Sequence, residues 1–116
     1  MAVISFLEKQ EHNWVVARWA YRQILEDVIS HCPADSEMIG VLADKMESDG
    51  LLMEFLEPAL AARITSAIKR VAEGILSGAI RSAIQDKPSG TAHMVQEYRK
   101  GLQELLETIP SRVDHP

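Results

Sequence analysis

Residues Ser5–Ser30 read SFLEKQEHNWVVARWAYRQILEDVIS. Leu7, Trp14, Tyr21 and Val28 recur every seven positions, and Ala17, Ile24 and Leu25 fill in between them. Residues at that spacing share one face of an α-helix, so the stretch is expected to form one long helix with this stripe turned inward. Ser5 precedes Glu8 by three residues, a pairing that satisfies the free N–H groups at a helix start. Val15 and Val16 broaden the stripe. Trp19 lies about 100° or more from the Leu7–Trp14–Tyr21 line on a helical wheel. It is therefore expected to stand out as an exposed anchor between Arg18 and Arg22. Tryptophan and arginine together are typical of the few residues that dominate a protein–protein contact.

A second helical stretch is Pro58–Gln85, PALAARITSAIKRVAEGILSGAIRSAIQ, the longest and most apolar in the chain. Leu60, Ile64, Ile68, Val71, Ile75 and Ala79 fall on one face. From Val71 onward a second apolar row (Ala72, Leu76, Ile80, Ile84) appears, so the later half expects neighbours on most sides. Gly74 and Gly78 lie four apart among small residues. Their reading is either close packing or a helix break within the chain, or self-association through a helix pair between subunits.

Between these stretches, His31, Cys32, Pro33 and Ala34 turn the chain. Asp35 or Ser36 then caps a helix whose inner face is Met38, Ile39, Leu42 and Met46. Glu47 to Gly50 closes it, with Gly50 suited to a left-handed terminal position. In LLMEFLEP (residues 51–58) the row Met53, Leu56, Leu60, Ile64 stays in helical phase. That favours one helix from near Gly50 kinked at Pro58, against Pro58 as the first residue of a new helix. Asp86 to Gly90 breaks the chain. Thr91–Ile109 is the last helix, with Val95, Tyr98, Leu102, Leu105, Leu106 and Ile109 as its stripe. Residues 111–116 read as a frayed tail. With no persistent period-two alternation, the expected fold is all-α. It is a single helical domain over residues 1–116 with four helices, or five if the third is split or kinked, in an up-and-down or irregular bundle.

Charge and composition narrow the function. The chain has 116 residues and a net charge of −5. Residues 1–57 carry four basic and eleven acidic side chains; residues 58–116 carry eight and six. The acidic first half repels nucleic-acid phosphates. MIGVLADKMESDGLL (residues 38–52) resembles the opening of a helix-turn-helix, but the helix expected after it is acidic and apolar. A DNA-binding regulator, with Arg63, Lys69, Arg70 and Arg81 as its basic patch, is thus only a third reading. A lone cysteine, no signal-peptide pattern and no long apolar run together lead to the expectation of a cytoplasmic protein without a membrane-spanning helix.

No motif commits the chain to a reaction. Glu8 and His12 share a helical face, but as a surface ion pair. In an up-and-down bundle His31, Cys32, His93 and Glu97 would meet at one end, a donor set suited to zinc or a similar divalent metal. A ligand- or metal-binding bundle, which could be an enzyme, is therefore the alternative reading. The preferred one is a small protein–protein interaction module of adaptor, regulator, inhibitor or immunity type. It would act through an acidic helical face (Glu37, Asp44, Glu47, Asp49, Glu54) together with Trp19, with a homodimer as one form of the contact.

Overall fold

In a computed structural model, residues 1–6, 13–86 and 92–109 are described. The order is β1 (Ala2–Ser5), β2 (Asn13–Val16), α1 (Arg18–His31), α2 (Ser36–Met46), β3 (Gly50–Leu52), α3 (Pro58–Ser77) and α4 (Ala92–Thr108). Short 3-10 turns cover Met53–Phe55 and Ala83–Asp86. The fold is thus α+β, which corrects the all-α expectation.

The correction falls on the opening stretch. Ser5 ends a strand and does not cap a helix, and α1 begins only at Arg18. Along β1 burial alternates, with Ala2 and Ile4 inward and Val3 and Ser5 half-buried. In β2, Trp14 is inward while Asn13 and Val15 are exposed. Strands turn alternate residues to opposite faces, and β-branched valines sit more comfortably on a pleated strand than in a helix. Trp14 and Tyr21 are both buried, as the seven-residue spacing required, but one comes from a strand and the other from a helix. Leu7, Glu8 and His12 lie outside the described residues.

β1 is the central strand of the order β2-β1-β3. It pairs antiparallel with β2 (Val3 opposite Val15, Ile4 opposite Trp14) and parallel with β3 (Ile4 opposite Leu51). One sheet face, formed by Ala2, Ile4, Trp14 and Leu51, belongs to the core. The other carries Val3, Val15 and Leu52. Gly50 is the first residue of β3, not a left-handed helix end, and it lies against Val3. Since β3 follows α2, no second helix of a helix-turn-helix stands there.

The helices follow their local signals more closely. Asp35 caps α2, its carboxylate accepting from Met38 N–H at 3.1 Å. Pro58 is the first residue of α3, and Glu57 before it is extended (φ −57°, ψ 135°). Proline forces that geometry on its predecessor, so the kinked helix running on from Gly50 does not form. α3 buries Leu60, Ile64, Ile68, Val71 and Ile75 and ends at Gly78, whose φ of +87° is easy only for glycine. Beyond it Ile80 N–H returns to the Gly74 carbonyl at 3.0 Å. The close approach at Gly74 is therefore made by Ile80 of the same chain, where an added Cβ would stand 2.5 Å from Ile80 Cδ1.

Three polar links fix α4. Trp14 Nε1 donates to the Gly101 carbonyl at 3.0 Å. Arg99 donates to the Ile75 and Leu76 carbonyls at 3.1 and 2.8 Å, placing a cation at the negative end of α3. Asp27 of α1, fully buried, accepts from Tyr98 Oη at 2.8 Å, Ser82 Oγ at 2.6 Å, Ala83 N–H at 3.1 Å and Gln23 Nε2 at 3.1 Å. Among the described residues no buried side-chain nitrogen or oxygen lacks a partner.

Candidate partner-binding site

Trp19 sits in the first turn of α1 and remains 37% exposed. Its ring leans on Tyr98, with centroids 6.4 Å apart and planes inclined by 48°. Tyr98 is in turn tied to Asp27. Burial, and after it the Asp27 charge, raises the Tyr98 phenol well above its ordinary pKa. The support under Trp19 therefore stays neutral and fixed at physiological pH.

Trp19 is a wall of two clefts. One, of about 360 Å³, lies between the start of α1 and α4 and is lined by Val16, Met94, His93, Glu97, Lys100 and Glu104, among others. The other, of about 400 Å³, is lined by Arg18, Arg22, Gln23, Glu26 and Met46. Arg18 Nε lies 3.2 Å from Asp49 Oδ1, and Arg22 Nη2 lies 3.9 Å from Glu47 Oε1. Both arginines are thus met by carboxylates of the segment that follows α2. All four charges are largely exposed, so each pair adds at most about 1 kcal/mol.

The structure brings only part of the expected acidic set together. Trp19, Glu47 and Asp49 gather around Arg18 and Arg22. Glu37 stands at the other end of α2, where its Oε1 and both oxygens of Asp35 take Arg63. Arg63, and after it the Met38 N–H, hold the Asp35 carboxyl below the usual carboxylate range. The two carboxylates together raise the Arg63 pKa. Asp44 is exposed on α2, and Glu54 is exposed just past β3 beside Phe55, a phenylalanine 77% exposed. Val15, 56% exposed, marks the open sheet face.

The proposed metal set does not assemble. His31 and Cys32 line a cleft of about 570 Å³ against α3, together with Ser66 and Arg70. Arg70 Nη2 donates to Cys32 Sγ at 3.2 Å, and His31 Nε2 is 3.3 Å from the Arg81 carbonyl. His93 and Glu97 instead line the Trp19 cleft, beside Ala17 and Ala20. His31 ends α1 and Ala17 precedes it, and a helix of 14 residues is about 20 Å long. The four donors therefore flank opposite ends of α1. The up-and-down arrangement that would have gathered them is absent because α1 starts at Arg18 and α4 crosses near that start. No group of three or more histidine, cysteine, aspartate or glutamate side chains could hold a metal among the described residues.

Sequence reasoning did not single out Met94, Lys100, Glu104 or Phe55. A signal for two of these, Lys100 and Glu104, existed. His93, Glu97, Lys100 and Glu104 recur at helical spacing and form the polar face of α4 opposite its Tyr98–Leu102–Leu105 stripe. What faces that side could not be read from spacing alone. No described helix is long and apolar enough to cross a membrane. Comparison of the chain with protein-family models, with curated proteins and with solved structures gives no match.

Proposed function

We propose that this protein is a protein–protein interaction module whose partner docks over Trp19. The observation that carries the reading is a large aromatic side chain left partly open between two clefts, yet backed by a buried hydrogen-bonded tyrosine. Such an anchor loses little conformational freedom on binding, so its buried area is turned into affinity rather than spent on ordering. Beside it, Glu97 and Glu104 have no ion pair among the described residues, while Glu47 and Asp49 pair with Arg22 and Arg18, and the two α4 carboxylates favour a partner with basic groups at the contact.

The test is binding of proteins recovered from source-cell extract, each purified and titrated against the wild type, Trp19→Ala and Trp19→Phe. A partner of the proposed kind binds with defined stoichiometry. It loses about thirtyfold or more in affinity with Trp19→Ala, the scale of a hot-spot truncation, and less with Trp19→Phe. A saturating partner indifferent to Trp19→Ala refutes the reading. Light scattering of the same variants identifies a second copy of the chain as the partner if a dimer is present and Trp19→Ala dissolves it.

A further inference from the structure

We infer that the cleft between Trp19 and α4 is a slot for a single cationic side chain, an arginine of the partner. This rests on the interaction reading above and names what the site recognises. Glu97 and Glu104 lie seven residues apart on α4, which is two turns, or about 10 Å along the axis. Gly101 stands between them on the same face and has no side chain. Trp14 Cζ2 and Val16 Cγ2, 3.6 and 4.0 Å from where its Cβ would stand, pack against it, so Gly101 is buried and the cleft beside it is apolar, with Ala17 and Ala20 on the facing side. Trp19 closes one wall, and Val16 and Met94 add apolar surface.

Charge completes the argument. Neither Glu97 nor Glu104 has an ion pair among the described residues, although Lys100 stands between them on the helix. Lys100 and His93 also line the cleft, so the carboxylates are opposed by one fixed cation. Arg18 and Arg22, on the far side of Trp19, are occupied by Asp49 and Glu47. An apolar wall with an aromatic ring and two exposed carboxylates without an ion pair among the described residues suits a side chain with a long aliphatic stem and a cationic head. A guanidinium fits better than an ammonium because it can lie flat on the indole while its N–H groups reach a carboxylate.

The experiment uses the whole protein and short capped peptides with arginine, lysine, norleucine or glutamate at the centre. The two tryptophans give two indole N–H signals in a proton–nitrogen correlation spectrum. The Trp14 indole donates to Gly101 at the cleft itself, so the dispersion of the backbone amide signals serves as the report that the fold is intact. The arginine peptide is expected to shift the Trp19 signal saturably, at concentrations about tenfold below those needed for norleucine, the scale of a modest cation–π and ion-pair gain. Glu97→Gln with Glu104→Gln should remove that advantage and leave the dispersion of the backbone amide signals unchanged. Equal response to arginine and norleucine, or an arginine response unchanged in the double glutamine variant, overturns the cationic slot. No shift with any peptide also overturns it. A protein partner that depends on Trp19 but ignores the double glutamine variant would sink the slot and leave the interaction reading standing. A partner indifferent to Trp19 sinks the interaction reading itself.

Discussion

Replacing Asp27 by alanine tests whether the base beneath Trp19 is held as described. The carboxylate is fully buried and its acceptor capacity is used by four donors. Alanine leaves the Tyr98 and Ser82 hydroxyls without an acceptor in a region closed to water. Gln23 keeps its bond to Glu26 at 3.0 Å, and the Ala83 N–H is only part-buried. Two stranded hydroxyls at roughly 1–3 kcal/mol each, less about 0.5 kcal/mol for the better helix propensity of alanine, give a net loss of about 3 kcal/mol. Asparagine should cost much less, about 1 kcal/mol. Its oxygen can face Ala83 and Gln23 while its NH₂ faces the two hydroxyls, which rotate to accept. Urea unfolding followed by fluorescence reads both. With a slope of about 1–3 kcal/mol per molar, the alanine variant should move the midpoint down by about 1.5 M and the asparagine variant by about a third of that. Alanine should also lower the Tyr98 pKa, since part of its upward shift comes from Asp27. An alanine loss below about 1 kcal/mol, or an asparagine loss equal to it, would refute this account of the cluster.

Two further expectations follow from the same geometry. Asp35 has a folded pKa lowered by Arg63, so its contribution to stability is present above the ordinary carboxylate pKa and is lost as pH falls through the folded value. Arg63→Ala should therefore flatten the loss of stability below about pH 4, as acid denaturation curves of the two proteins would show; identical curves would contradict it. Gly74→Ala gains about 1 kcal/mol of helix propensity but forces Ile80 off its seat, at about 1–3 kcal/mol. The net is a modest loss in thermal stability that Ile80→Ala in the same chain should relieve.

The parts of the fold legible in the sequence are those set by local chemistry. The Asp35 cap and the α4 stripe each depend on residues within a turn or two of one another, whereas at Pro58 the preserved helical phase outweighs the proline signal and favours a kinked helix that does not form. The sheet is not of that kind. β3 has three residues, too few to show a period, and it exists because Ile4 lies beside Leu51. β1 does alternate, but Phe6 and Leu7 follow directly and merge it into an apparent helix stripe. At the site, the wheel position of Trp19 and the polar face of α4 could both be read. That they face each other depends on how α4 crosses α1, which no spacing encodes.

The place of β1 in the middle of its sheet also orders events in time. Its parallel neighbour lies more than forty residues further along the chain, with β2, α1 and α2 in between. Closing a loop of that length carries an entropic penalty that must be met before the Ile4–Leu51 contact returns anything. The α1–α2 pair, joined by a short turn, has no such delay. Helical pairs therefore assemble early and the sheet closes late. Until it does, β1, even when paired with its near neighbour β2, presents one open apolar edge at Val3 and Ile4, the kind of edge through which partly folded chains find one another. Crowded or slow refolding is where this molecule is most exposed to association, well before Trp19 has a cleft beside it.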